Sequence, residues 1–520
     1  MKRPVALLVR FGARLALAGL LLAAGCTKST VDDTPPSTPG GPAAPANPAE
    51  GADAEINRWM FDYMTTHYLW NRALPQVKPD YSLDYEAFLQ NVLTQVAAQN
   101  DINHDDGHWS NGVRASFYSR IERYQAGLTT KTPESRSGTR ETIAGYGFEM
   151  VYIMALDDAG HYAFVVAAVH PDGPAAKAGL KRGDVISRID GAQVNDKTLS
   201  KVFDRLFYEE TGTMRLTMFD FFTGLEDRTI NLTAAVYDDN PILLHKIIPL
   251  DGNREAGYLF YNAFNISYDE ELTDVFAGFR AAGIDELILD LRYNTGGHTL
   301  SSAVLATLVA GTPHRGELFG QLTFNEDRKN ERAEAYRIGD PQWHPDYARY
   351  ALLGEALAKA VDLPRVYVLT TSSTASASEA VINGLRGVGL DVRIIGERTN
   401  GKNVGMEGIT KEFGSYEYVF MPITFYISNG KGERDYSDGF EPQVAVPDNT
   451  SDAFWYVEEH AFGAVELGDT EHDPLLCTAL EWIATGRQPQ EPAASATRTA
   501  GRPVELRRPE LHSRVRPLRF

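Results

Sequence analysis

Val366-Tyr367-Val368-Leu369-Thr370 is followed at once by Thr374-Ala375-Ser376-Ala377-Ser378-Glu379-Ala380, and this pair of runs decides the fold. The first is a short, β-branched and apolar run, the pattern of a buried strand. The second is a string of small hydroxyl and alanine residues ending in glutamate, the pattern of a helix start. The same grammar appears upstream. Leu287-Ile288-Leu289-Asp290-Leu291 runs into Arg292-Tyr293-Asn294-Thr295-Gly296-Gly297, and residues 300–309 then read as a helix. Strands alternating with helices from about residue 240 to 450 predict an α/β unit. Glycines at such a turn let main-chain N–H groups face outward, as an oxyanion requires, and a helix N-terminus favours developing negative charge.

Downstream of Ser376 by 26 residues stands Lys402, in Ile394-Ile395-Gly396-Glu397-Arg398-Thr399-Asn400-Gly401-Lys402-Asn403-Val404-Gly405. A serine hydroxyl needs a base, and neither motif contains histidine. A lysine can serve if burial keeps its amine neutral.

The 520-residue chain leaves room for further units at about 150 residues each. Residues 52–135 carry apolar side chains at helical spacing (Ile56, Met60, Tyr63, Met64, then Phe88, Val92, Val96), which predicts an N-terminal helical domain. Trp59, Tyr63, Tyr68 and Trp70 fit packing roles there. Asp101-Ile102-Asn103-His104-Asp105-Asp106-Gly107 has the acidity of a calcium loop. Its glycine falls one place late, and Gly112 stands where a bidentate glutamate belongs, so a solvated loop without metal is expected. Residues 142–236 alternate strand-like runs with turn clusters, residues 451–488 return to a helical pattern, and residues 489–520 form a basic tail expected to be disordered.

The start reads as a targeting segment. Lys2, Arg3, Arg10 and Arg14 precede a short apolar run, the layout of a signal peptide over residues 1–25. Leu22-Ala23-Ala24-Gly25-Cys26 resembles a bacterial lipobox, which implies lipidation of Cys26, although Ala23 stands where leucine is commoner. Residues 26–51, rich in proline, would then be a tether. Thr27 in place of aspartate implies, by resemblance to lipoprotein sorting, an outer-membrane anchor facing the periplasm. The second of two cysteines, Cys477, sits in an apolar helical pattern and is expected to be a buried, inert thiol. A formal net charge of −20 disfavours nucleic acid as a partner.

Gly145-Tyr146-Gly147-Phe148, then Val169-His170-Pro171-Asp172-Gly173-Pro174-Ala175-Ala176, then Lys181-Arg182-Gly183-Asp184-Val185-Ile186 and Asp190-Gly191 together resemble a PDZ domain. The resemblance implies that Gly145, Tyr146, Gly147 and Phe148 bind a peptide's terminal carboxylate through main-chain N–H groups, while the strand edge pairs with the peptide.

With that module, the three core segments and Gly439-Phe440-Glu441-Pro442 resemble the C-terminal processing, or tail-specific, peptidases over about residues 142–448. This implies a crotonase- or ClpP-like α/β core with an inserted β-rich PDZ domain and an N-terminal helical domain. It also implies a serine endopeptidase without cofactor or metal, acting on exported proteins or peptides. Carried over, Ser376 is the nucleophile, Lys402 its base, and the oxyanion donors are the N–H of Ala377 and that of Gly296 or Gly297. Many relatives carry glutamine four residues after the lysine, where this chain has Met406, so another side chain must orient Lys402 or the dyad works unaided. Two other classes compete: a catalytically silent binding or scaffold lipoprotein of the same fold, and a crotonase-type acyl-CoA enzyme, which export and the PDZ-like module disfavour.

Overall fold

A computed structural model describes residues 52–110, 113–125, 142–155, 160–195, 197–208, 211–220, 225–329, 335–340, 347–448 and 465–490. The leader, the tether with Cys26, Gly112 and the basic tail lie outside them.

The core is a six-stranded sheet in the order Ile242–Leu250, Arg254–Tyr261, Glu286–Asp290, Arg365–Thr370, Asp391–Gly396, Val444–Ala445. The first pair is antiparallel and every later pair is parallel. All five residues of Glu286–Asp290 are buried, as a parallel strand covered on both faces must be. One face is packed by the helices Asp269–Ala282, Thr299–Ala310 and Ala377–Gly387, whose Phe276, Val304 and Val381 meet Leu289 and Val368 in one core. The other is closed by the C-terminal helix Pro474–Thr485 through Leu475, Leu476, Ala479 and Trp482. Asp473 caps that helix by accepting from the N–H of Leu475 and Leu476, Pro474 opens it, and Gly486 ends it in the left-handed conformation.

Cys477 differs from expectation. It is partly exposed, because its position on the helix faces away from the sheet. Burial of the sulfur and the nearby Asp473 and Asp469 still push the thiol up to about 11, so it stays protonated.

The module between residues 142 and 238 is framed by its own incoming and outgoing strands, Thr142–Gly145 and Ala235–Asp238, paired antiparallel. Inside it, a six-stranded sheet ends on Phe148–Ala155. Arg182 leaves this module and enters the core. It donates to Ala167 O and Asp448, and contacts Tyr293. There, fully buried Arg292 is held by Asp290, Asp448 and Asp473, with Tyr258 donating to Asp290 at 2.7 Å. Two guanidinium groups among three carboxylates make burial of so many charges tolerable.

The N-terminal unit opens with the helices Ala54–His67 and Tyr85–Ala97, the second capped by Asp84 accepting from Ala87 N at 2.8 Å. Its later part is extended. Arg120–Gln125 pairs antiparallel with Tyr416–Met421, and Phe88, Val92 and Ile121 share a core with Val404, Phe420 and Ile423. The acidic loop is not simply solvated. Asn103 and Asp106 are fully buried, and Asp106 accepts from Tyr68, from Ser119 N and from Ser119 Oγ at 2.6–2.8 Å. The partners of these buried groups, Tyr68, Leu93 and Ser119, lie outside the loop, so its acid-rich composition alone did not reveal them.

Candidate active site

The strands Glu286–Asp290 and Arg365–Thr370 lie side by side, so their C-terminal loops meet. Asn294 O accepts from Ala375 N (3.1 Å) and from Ser378 Oγ (3.0 Å), and Thr374 Oγ1 donates to Leu291 O (2.8 Å). These bonds lock the Asn-Thr-Gly-Gly turn against the serine-rich helix start. Gly296 has φ of +106°, and a Cβ there would lie 2.7 Å from Ser376 Cβ and 2.9 Å from Ala377 N, so only glycine fits.

Ser376 stands at the N-cap of the helix Ala377–Gly387 with φ of +55°, a strained region for a residue with a side chain. It is partly exposed, while Ala375, Ala377 and Ser378 on either side are buried. This separates the two serines. Ser378 spends its hydroxyl on Asn294 O, whereas Ser376 alone opens to solvent at the helix N-terminus.

The two candidate oxyanion glycines are likewise separated. Gly296 N–H donates to Asn294 Oδ1 at 2.9 Å, while Gly297 N–H and Ala377 N–H have no acceptor among the described residues. Ala377 is the first residue of its helix, so its N–H is one of the groups a helix leaves open.

Lys402 is brought to Ser376 by Glu379. Its buried carboxylate accepts from Ser376 N (2.9 Å) and Lys402 N (2.8 Å) on one oxygen, and from Gly401 N (2.7 Å) and Thr399 Oγ1 (2.6 Å) on the other. Gly401, at φ of +95°, packs so tightly on Ser437 O that a Cβ would sit 2.1 Å from it. Phe440 N donates to Thr399 Oγ1 at 2.7 Å, which explains the Gly-Phe-Glu-Pro segment: it buttresses the lysine loop. Burial raises Glu379 to about 7 against four donors that favour the anion. Lys402 keeps partial exposure, yet protein surrounds it. That desolvation, helped by repulsion from Arg120 and opposed by Asp106 and Glu379, lowers its ammonium to about 7.

Met406 offers its sulfur to Arg120 Nη1 at 3.3 Å instead of an amide to the lysine. The surroundings of Lys402 come from the N-terminal unit, which sequence reading did not connect to it. Tyr118 donates to Asn400 Oδ1 at 2.7 Å, and His108 Nδ1 lies 3.1 Å from Asn400 Nδ2. No local signal marks these residues; only the long-range pairing of Arg120–Gln125 brings them here.

In the PDZ-like module, Tyr146 and Phe148 bury their side chains, so only their main chain could meet a ligand. The carbonyls of Tyr146 and Gly147 accept from Ala175 N and His170 N at 2.8–2.9 Å, turning that loop's peptide units. Phe148–Ala155, which follows, is the last strand of the sheet among the described residues. Glu149 accepts from Asn262 Nδ2 of the core at 2.6 Å. Among the described residues no cluster of metal-ligating side chains occurs, and no helix is long and apolar enough to cross a membrane.

An α/β core that brings a helix-capping serine and a desolvated lysine together, with an inserted β-rich module and an N-terminal helical unit, is thus the class that fold and site define. Comparison with known families agrees. The peptidase family S41 model matches residues 255–446, a PDZ domain model matches residues 165–209, and the peptidase S41 N-terminal domain model matches residues 55–111. Residues 255–446 are thus similar to the peptidase domain of family S41, and residues 55–111 to that family's N-terminal domain. It is 27% identical over 277 residues to a chloroplastic C-terminal processing peptidase of Tetradesmus obliquus, covering 52% of this chain and 53% of that one. It is 26% identical over 234 residues to a carboxyl-terminal-processing protease of Picosynechococcus sp., covering 45% and 49%. The chain spans about half the length of the curated relatives it matches. A solved structure of a Bacteroides fragilis protein assigned to the S41 proteases superposes with a TM-score of 0.60 at 25% identity, covering 82% of this chain and 97% of that one.

Proposed function

We propose that this protein is a serine endopeptidase that cleaves exported proteins or peptides, with Ser376 as nucleophile and Lys402 as general base. The observation that carries the reading is the single carboxylate oxygen of Glu379 that holds the main chain of both residues. The neutral Lys402 amine takes the Ser376 hydroxyl proton as Oγ bonds to the peptide carbonyl carbon. The carbonyl oxygen, now an anion, is received by the N–H groups of Ala377 and Gly297. The C–N bond then breaks as Lys402 returns the proton to the leaving amine. Water, deprotonated by the same amine, releases the acyl group and restores the serine.

The named relatives process C-termini, and the PDZ module, through the main chain of residues 145–148 and the neighbouring strand, supports recognition of a free carboxyl terminus. The leader and Cys26 support a lipid-anchored envelope protein, outer-membrane bound and facing the periplasm.

The test is cleavage of an unfolded protein by the soluble chain beside Ser376→Ala, Lys402→Ala and Ser378→Ala variants. The first two should be inactive and the third active. Cleavage surviving Ser376→Ala would sink the assignment, and an inactive wild type would favour the scaffold reading that Met406 keeps open. Peptides with amidated C-termini should bind worse than free ones. Cys26→Ser should release the protein from the membrane fraction.

A further inference from the structure

Lys402 meets an aromatic ring from a distant part of the chain. Its Nζ lies 5.0 Å from the centre of the Tyr118 ring, within range of a cation–π contact. The ring cannot drift, because the Tyr118 hydroxyl donates to Asn400 Oδ1 at 2.7 Å. Asn400 is itself tied to the serine segment: its N–H donates to Thr374 O at 2.9 Å and its Nδ2 to Ser372 O at 3.4 Å, beside His108 Nδ1 at 3.1 Å. One asparagine therefore fixes the ring relative to both halves of the site. Met406 is engaged elsewhere, by Arg120.

We propose that Tyr118 is the positioning residue of Lys402, its ring face receiving the ammonium that forms when the amine takes the serine proton. This rests on Lys402 being the base. A neutral amine gains little from the negative face of an aromatic ring, whereas an ammonium gains more, so the contact strengthens as the proton moves. Positioning and differential stabilisation come from the same side chain. The other charges around the lysine are Arg120 on the strand Arg120–Gln125, Asp106 on the loop before it, and Glu379 on the helix Ala377–Gly387, with His108 reaching it through Asn400. Arg120 opposes the ammonium and the two carboxylates favour it, so the ring supplements the carboxylates. The N-terminal unit is in this way a part of the peptidase site.

The experiment uses the full soluble chain with Tyr118→Leu, Tyr118→Phe, and ring-fluorinated phenylalanines incorporated at position 118. Leucine keeps water out but removes the ring; kcat should fall roughly tenfold with KM little changed. The rising limb of kcat/KM against pH should move to lower pH, because an ammonium that has lost its ring partner gives up its proton more readily. Phenylalanine should lose less and leave the limb in place. If Tyr118→Leu does not fold, the fluorinated series still decides: each fluorine weakens the ring face at nearly constant shape, so kcat should fall stepwise. A flat series, or a Tyr118→Leu enzyme with wild-type kcat and limb, overturns the inference. Lys402→Ala in the same assay separates the two readings. Activity surviving it refutes the lysine base, while its loss beside a flat Tyr118 series refutes the positioning role alone.

Discussion

Replacing Glu379 by glutamine probes the joint on which the site hangs. The carboxylate accepts four hydrogen bonds, two on each oxygen, at 2.6–2.9 Å. Glutamine keeps one oxygen and presents an NH₂ in place of the other. The amide's oxygen can satisfy Thr399 and Gly401, or Ser376 and Lys402, and the remaining two N–H or O–H groups then face a donor. Hydrogen bonds to an ionised acceptor contribute about 1.5–3 kcal/mol each, and a neutral amide costs less to bury than a carboxylate, so a net loss of about 2–3 kcal/mol follows. For a unit the size of the core this is a fall of roughly 4–12 °C in Tm. A misplacement of about 1 Å between reacting groups costs on the order of 100-fold in rate, so kcat should drop near that amount while KM changes little. Calorimetry and steady-state cleavage of an unfolded substrate read the two effects. A variant with wild-type Tm and kcat would refute the claim that this carboxylate sets the geometry of both Ser376 and Lys402.

Other consequences can be checked the same way. With Lys402 lowered to about 7 from the ordinary lysine range, its neutral form grows as pH rises, so kcat/KM should climb through an apparent midpoint near pH 7; a midpoint near 10 would contradict the buried base. Gly296→Ala would put a methyl 2.7 Å from Ser376 Cβ, and should abolish cleavage with peptide binding to the PDZ module retained, as measured by fluorescence anisotropy. Arg182→Met leaves Asp448 facing Arg292 with one cation fewer, and should cost roughly 3 kcal/mol in denaturant unfolding; no change would show that the contact between module and core is idle.

Much of this site was legible because it is local. A strand that stops, a run of small residues and a helix that begins can be read from consecutive residues, so Ser376 and the Asn-Thr-Gly-Gly turn stood out. Choosing Ser376 over Ser378 rested on resemblance, and the structure adds a physical reason, since Ser378 is buried and its hydroxyl committed. Gly296 and Gly297 could not be separated in sequence, because what distinguishes them is where Asn294 turns its side chain. The contribution of Asp106, His108 and Tyr118 was invisible for a different reason. It depends on a strand pairing with a partner almost three hundred residues away, as the bond from Tyr118 to Asn400 at a separation of 282 shows. Acidic composition pointed that loop towards solvent; tertiary contacts turned half of it inward.

The pairing of Arg120–Gln125 with Tyr416–Met421 has a consequence for the order of events during synthesis. The segment that lines the lysine is made first, the serine and lysine come hundreds of residues later, and the strand that joins them follows both. A growing chain therefore holds no assembled site until residue 421 has been made. Timing alone would keep the proposed peptidase silent while the chain is still unfolded.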